Sequence, residues 1–177
     1  MVGYMRLEEQ VDADFTRARR RARFRRLMAR LRNGPASDGL PCFEDLRQEL
    51  GAVGGIRVGR RVVRVEQIAG SVGRSSEFDP VFLPTKASVG VRWKQIDRAF
   101  HRGEELPPVS LYKIGDSYFV ADGNHRVSVA RYHGVEWIDA EVTEFSTSVA
   151  LDTLVVLGCS LGFYSWILEL PLYAATR

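Results

Sequence analysis

The sequence predicts a mixed α/β domain carrying an arginine-rich helix on its N-terminal side, and three observations predict it. Residues 88–100 place Val91, Trp93, Ile96 and Phe100 at helical spacing, with Lys94, Asp97 and Arg98 outside that stripe. Runs of strand composition recur at 56–65, 109–114, 117–120 and 136–145. Ten arginines fall within residues 1–32 against four acidic residues, so this segment carries +6. The remaining 15 Lys and Arg against 18 Asp and Glu give −3. The basic character belongs to one segment.

A chain of 177 residues suits one domain with appendages and is long enough to bury a core. The expected divisions are a helical region over 1–55, an α/β domain over 56–145 and an apolar tail over 146–177. Cys42 and Cys159 lie far apart and form no metal-ligand spacing, so no protein-held metal is expected. The start of the chain has no apolar run after a basic cluster, which argues against a secretory signal and for a cytoplasmic location.

Taken in order, the first element is the helix ending at Arg32, with Asp12 or Asp14 as its cap and Asn33-Gly34-Pro35 as its stop. Phe15, Ala18, Ala22, Leu27 and Leu31 form its apolar side. The arginines between them have two readings. Arg19, Arg20 and Arg23 are candidate nucleic-acid contacts, DNA included. Alternatively the helix is docked on the domain, with arginine stems covering apolar surface and their heads in water.

Residues 33–41 read as a linker and Phe43–Leu50 as a short helix, broken by Gly51, Gly54 and Gly55. Ile56–Val65 alternates as a hairpin or strand pair. The helix over 88–100 ends at Gly103, and Val109–Ile114, Gly115-Asp116 and Ser117–Val120 read as a hairpin. A helix over Val127–His133 stops at Gly134, and Glu136–Phe145 returns as a strand with Ile138, Ala140 and Val142 on one face. Sixteen uncharged residues lie between Asp152 and Glu169, but Gly158, Ser160, Gly162 and Ser165 interrupt them. A membrane helix needs about 20 apolar residues, so a buried C-terminal helix, or a tail poorly matched to the domain, is expected there rather than membrane insertion.

The chemistry concentrates at Tyr118-Phe119-Val120-Ala121-Asp122-Gly123-Asn124-His125-Arg126. A strand runs into a Gly turn, and a helix starts at once, with unpaired N–H groups and a dipole that favours an anion. His125 and Arg126 add donors at that same turn. Strand, Gly turn, helix start and two cationic residues describe a phosphate site. Asp122 is a candidate metal-organising carboxylate or general base, or else the ordinary cap of the turn. Arg126 is the chief phosphate contact by its bidentate geometry, and neither it nor His125 is expected to be core. His101 and His133 have no carboxylate or Cys at ligand spacing and read as structural.

Gly-Asn-His-Arg followed by Val-Ser-Val-Ala resembles the phosphate-binding signature of the ParB/sulfiredoxin-like superfamily. Its chromosome-partitioning members carry Gly-Glu-Arg-Arg there, sulfiredoxins Gly-Cys-His-Arg, and free-serine kinases Asp-Gly-His-His-Arg. Arg64–Ile68 and Arg74–Asp79 resemble the opening strand and the Pro-Arg-x-x-Phe-Asp segment of the ParB domain, so the likeness covers about residues 60–145. It implies a compact domain that binds a nucleoside triphosphate, CTP or ATP, with Mg²⁺, through Gly123, Asn124, His125 and Arg126. Ser71 and Arg74, in the loop 70–74, line the same pocket in that reading; otherwise the loop is a plain surface turn.

Asn124 stands where sulfiredoxins carry their catalytic Cys, and an amide cannot serve as a thiolate, so sulfinic-acid reduction is excluded. The 32 residues after Phe145 show no helix-turn-helix pattern, so sequence-specific partitioning-type DNA binding is not expected. Three functions remain open. They are a regulatory nucleotide-binding module, with room for a homodimer, a small-molecule kinase or nucleotide hydrolase, and electrostatic DNA binding with a vestigial nucleotide site.

Overall fold

A computed structural model describes residues 2–33 and 39–147. Among the described residues nine regular elements follow one another: α1 (Val2–Asn33), α2 (Phe43–Glu49), β1 (Val53–Arg64), β2 (Ile68–Ser71), α3 (Gly90–His101), β3 (Val109–Ile114), β4 (Ser117–Asp122), α4 (Asn124–His133) and β5 (Trp137–Ser146). The mixed α/β class read from the sequence is the class observed. The tail over 153–174 lies outside the described residues.

The five strands form one mixed sheet in the order β1-β5-β3-β4-β2. The expected hairpin is there, with Ile114 opposite Ser117 and Gly115 at positive φ in the turn between β3 and β4. Residues 56–65 do not form a hairpin. Residues 56–64 belong instead to one long edge strand, antiparallel to β5, in which Gly59 at φ 90° adjoins a register shift. At the other edge, β2 runs parallel to β4, with Ser71 level with Val120. The chain therefore leaves both strands at the same end of the sheet.

Alternate side chains of the strands feed two cores. Ile68, Leu111, Val120, Ala140 and Val142 face Trp93, Ile96, Val127, Val129, Phe78 and Phe82. On the opposite face Phe119, Ala69 and Ile114 pack with Phe43 and Leu50 of the α2 region. Trp93 is fully buried, as its place in the stripe predicts. It meets Phe15 of α1 at 5.5 Å and Tyr132 of α4 at 5.6 Å, and its Nε1–H donates to Ser128 Oγ at 2.9 Å.

The helix α1 starts ten residues before the first expected cap, at Val2 rather than Asp12. Asp12 and Asp14 lie inside it, and their carboxylates face other elements. Asp12 pairs with Lys94 at 2.6 Å, and Glu8 accepts from Arg98 through both carboxylate oxygens. Val11, Phe15, Ala18 and Ala22 are buried, but Leu27 and Leu31 of the expected apolar side are exposed, as are Phe24 and Met28. The apolar stripe continues past the surface it covers.

Replacing Ser128 with Ala leaves the buried Trp93 N–H without an acceptor, which costs about 1–3 kcal/mol. Urea denaturation should show that loss. Trp93→Phe with Ser128→Ala removes both polar partners, so the double variant should lose less than the sum of the singles.

Candidate functional site

Gly123 is the pivot of the expected site. It adopts φ 101° and ψ 22°, the left-handed conformation that glycine tolerates, and it is the N-cap of α4. A Cβ there would lie 2.7 Å from Val109 Cγ1, so the turn is tight as well as left-handed. No side chain caps α4, and its first intrahelical bond runs from Val127 N to Gly123 O. The N–H groups of Asn124, His125 and Arg126 are thus outside the helix's own ladder.

Two buried side-chain atoms at this turn have no hydrogen-bond partner among the described residues, His125 Nδ1 and Asn124 Oδ1. The His125 ring packs edge-on against Phe78 at 5.6 Å. Burial first, and then the charge of Arg74, hold its pKa below the ordinary imidazole value, against a smaller opposite pull from Glu77. His125 is therefore neutral at pH 7, with an unsatisfied ring nitrogen.

The parallel pairing of β2 with β4 brings the loop 70–74 to the same place. Ser71 is buried, and its Oγ accepts the Arg74 N–H at 3.2 Å, fixing the turn. Arg74 donates to both carboxylate oxygens of Glu77, at 3.1 and 3.0 Å. Arg92 adds a weaker positive field at His125.

Arg126 is arranged differently from its sequence-based assignment. Its guanidinium folds onto its own chain, donating to Pro107 O at 2.5 Å, Pro108 O at 2.8 Å and Asp122 Oδ2 at 2.5 Å. It fastens the start of α4 to the segment leading into β3. Asp122 is exposed and held in that ion pair. The three arginines of α1 also separate: Arg20 and Arg23 are exposed, whereas Arg19 is half-buried, 5.7 Å from the Phe15 ring.

A nucleotide with Mg²⁺ can be tested against these groups. The uncapped N–H groups, the open His125 nitrogen and the nearby cations suit phosphate oxygens. The carboxylates do not suit a protein-held Mg²⁺, since Asp122 is bonded to Arg126 and Glu77 to Arg74. Any Mg²⁺ here would be held chiefly by the phosphates.

A second constellation escaped the sequence reading. His101 and His133, expected to be without carboxylate partners, have two. His101 Nε2 is 3.0 Å from Asp14 Oδ2 and 3.7 Å from Asp97 Oδ2, and His133 Nε2 is 2.6 Å from Asp97 Oδ1. Tyr132 donates to Asp14 Oδ1 at 2.8 Å, and Arg17 reaches the same oxygen at 3.1 Å. Burial pushes the Asp14 carboxyl up, but hydrogen bonds from Tyr132 and His101 outweigh it and hold it below its usual value. Asp97 is fully buried, and burial keeps its carboxyl above the usual range despite His133. Only the Asp97/His101 spacing of four residues within α3 is visible in sequence, because Asp14 is 87 positions from His101.

A third basic feature is a groove of about 450 Å³ between α1 and α4, lined by Arg21, Phe24, Arg25, Arg131 and Tyr132. It does not include the Gly123 turn. Arg131 is anchored there by bonds to Ile68 O at 2.9 Å and Glu66 O at 3.3 Å.

No protein-family model and no curated protein matches this chain. Among solved structures, sulfiredoxin from Arabidopsis thaliana aligns with 55% of this chain and 93% of its own, at 14% identity and a TM-score of 0.38.

Next in sequence to Phe78, which packs on His125, stands the buried carboxylate of Asp79. Asp79 Oδ1 accepts the N–H of Val81 at 3.0 Å and of Leu83 at 2.8 Å. Its Oδ2 has no hydrogen bond among the described residues, with Arg25 Nε 3.7 Å away. Burial raises its pKa, only partly opposed by those two backbone bonds. A carboxyl raised on folding stabilises the native state below its unfolded pKa, and that contribution is lost as pH rises through the folded value. Asp79→Asn keeps an acceptor for the two N–H groups and carries no charge. Its stability relative to wild type should therefore increase from pH 4 to pH 7 in urea midpoints, whereas Asp79→Ala should lose about 1–3 kcal/mol at either pH.

Proposed function

We propose that this chain is a phosphate-binding module whose ligand is a nucleotide, gripped at the N-terminus of α4. The observation that carries the reading is the buried, unpartnered Nδ1 of His125 beside an uncapped helix start reached through a left-handed Gly123. A neutral imidazole at that point can donate to a phosphate oxygen or, on gaining a proton, bind it as a cation. Arg74 and Arg92 bias the same space toward negative charge. The resemblance of Gly123-Asn124-His125-Arg126 to a phosphate-binding signature agrees in residue type, with Arg126 serving as the anchor of the turn. Turnover by a kinase or hydrolase needs a carboxylate able to act as base, and Asp122 is engaged by Arg126. Binding without turnover is the better supported form.

Calorimetric titration of ATP, CTP, GTP and ADP, each with Mg²⁺, tests this directly. His125→Ala should weaken binding by about tenfold, the equivalent of one hydrogen bond, with little change in melting temperature. Arg126→Ala should lower the melting temperature, because three acceptors lose their donor. Bound phosphate raises the proton affinity of His125, so binding takes up protons and tightens as pH falls through the imidazole range. His125→Gln should remove that part of the pH dependence and leave the part due to the phosphate itself. Failure of all four nucleotides to bind at millimolar concentration defeats the nucleotide reading.

A second reading has its own observation. The outer half of α1 exposes Arg20 and Arg23 beside Phe24, Leu27 and Leu31, a surface suited to electrostatic association with nucleic acid. Changing Arg20 and Arg23 to Gln should reduce the slope of log affinity against log salt on duplex DNA by about 0.9 for each phosphate contact removed. An unchanged slope assigns these arginines to solvent.

A further inference from the structure

Asp97 poses a problem for a purely structural reading of the His/Asp constellation. Its side chain is completely buried, yet Oδ2 accepts no hydrogen bond from the described residues. That buried oxygen lies 3.7 Å from His101 Nε2. One donor atom each from Asp14, Asp97, His101 and His133 can be chosen so that all lie within 4.8 Å of one another. Bonds of about 2.0–2.2 Å in a tetrahedral site would place donor atoms about 3.4 Å apart. The separations of 2.6 Å (His133 Nε2 to Asp97 Oδ1), 3.0 Å (His101 Nε2 to Asp14 Oδ2) and 3.7 Å (His101 Nε2 to Asp97 Oδ2) lie on either side of that value. The first and third use different oxygens of Asp97, and the set as a whole lies within 4.8 Å, so donor pairs need close by at most about 1.4 Å.

Three further features point the same way. The ligand oxygen of Asp14 is Oδ2, while Oδ1 is held by Tyr132 and Arg17, an orientation of the kind that outer groups impose on metal-binding carboxylates. His101 and His133 are the last residues of α3 and α4, so the negative ends of two helix dipoles meet at the cluster. The imidazole centroids are 5.2 Å apart, and Phe100 stacks on His133 at 4.2 Å.

We propose that Asp14, Asp97, His101 and His133 bind a first-row divalent transition-metal ion, Zn²⁺ by the character of its donors, at the junction of α1, α3 and α4. Two imidazoles and two carboxylates make a borderline donor set, better matched to Zn²⁺ than to Mg²⁺ or Ca²⁺, which prefer all-oxygen shells. Each imidazole presents Nε2 to the ion and keeps a proton on Nδ1. The site is separate from the phosphate site. His133 and Asn124 stand at opposite ends of α4, about 14 Å apart along a helix rising about 1.5 Å per residue. With four protein ligands from three helices, the ion ties α1 to the body of the domain.

The experiment uses the untagged 177-residue chain, stripped with chelator and then titrated with Zn²⁺ by calorimetry and with Co²⁺ in the visible spectrum. One ion per chain is expected, with the intense Co²⁺ bands of a tetrahedral site. At about 100 times the dissociation constant, Zn²⁺ should raise the melting temperature by about 5–10 °C, and Mg²⁺ should not. Asp97→Asn and His133→Gln should each weaken Zn²⁺ binding at least ~10-fold and abolish those bands. If Asp97→Asn does not fold, His133→Gln and His101→Gln decide the question. The proposal is overturned if Zn²⁺ fails to bind at millimolar concentration, or if binding survives these substitutions undiminished.

Discussion

Trp93 holds the molecule together at the point where its helices meet. Its ring is fully buried between Phe15 of α1 and Tyr132 of α4, and its single polar atom is satisfied by Ser128. An indole in the core is stable only with that partner, because a buried N–H without an acceptor loses its hydration for nothing. Since Ser128 lies in the first half of α4 and Tyr132 near its end, Trp93 sets both the position and the roll of that helix. The turn at Gly123 and the imidazole of His133 are the two ends of the element so fixed.

What the sequence revealed was local. The hairpin around Gly115-Asp116, the stop at Gly134 and the strand–Gly–helix passage at Gly123 are decided by residues within a few positions of one another, so composition and spacing expose them. The partnership of Asp14 with His101 is decided by a helix packing on another helix across 87 positions, and no spacing rule records it. The same holds for Asp12 and Asp14 generally. Acidic residues before an apolar stripe resemble caps, but here the helix runs on upstream because Val11 and Glu8 have surfaces on the body to meet. Arg126 shows a further limit. A guanidinium at a helix start suits a phosphate and suits a pair of proline carbonyls equally well, and only the path of residues 107–108 decides between them.

The arginine-rich segment divides by burial, not by sequence. Up to Arg25 several of the charges meet partners: Arg17 with Asp14, Arg19 over Phe15, Arg21 over Tyr132 and Arg25 near Asp79. Most of these arginines are partly exposed, so each pair adds little stability by itself, and the apolar contacts of Val11, Phe15, Ala18 and Ala22 supply most of the docking. Beyond Arg25 the helix keeps its alternation of arginine and apolar side chains, with Leu27, Met28 and Leu31 exposed. One periodic pattern therefore serves two environments, which is why the extent of docking could not be read from the pattern.

A helix ten residues long has one end suited to anions and another suited to cations, and an unsatisfied buried group of the matching kind lies at each end of α4. At its start the open N–H groups and the His125 nitrogen lack acceptors or donors from the described chain. Toward its end, the buried Asp97 oxygen lacks a donor, next to the terminal imidazoles of α3 and α4. Buried polar atoms left without partners are costly, and here two such places flank one short helix, His125 on α4 itself and Asp97 on the neighbouring α3. They differ in sign, and they lie too far apart for one ligand to serve both.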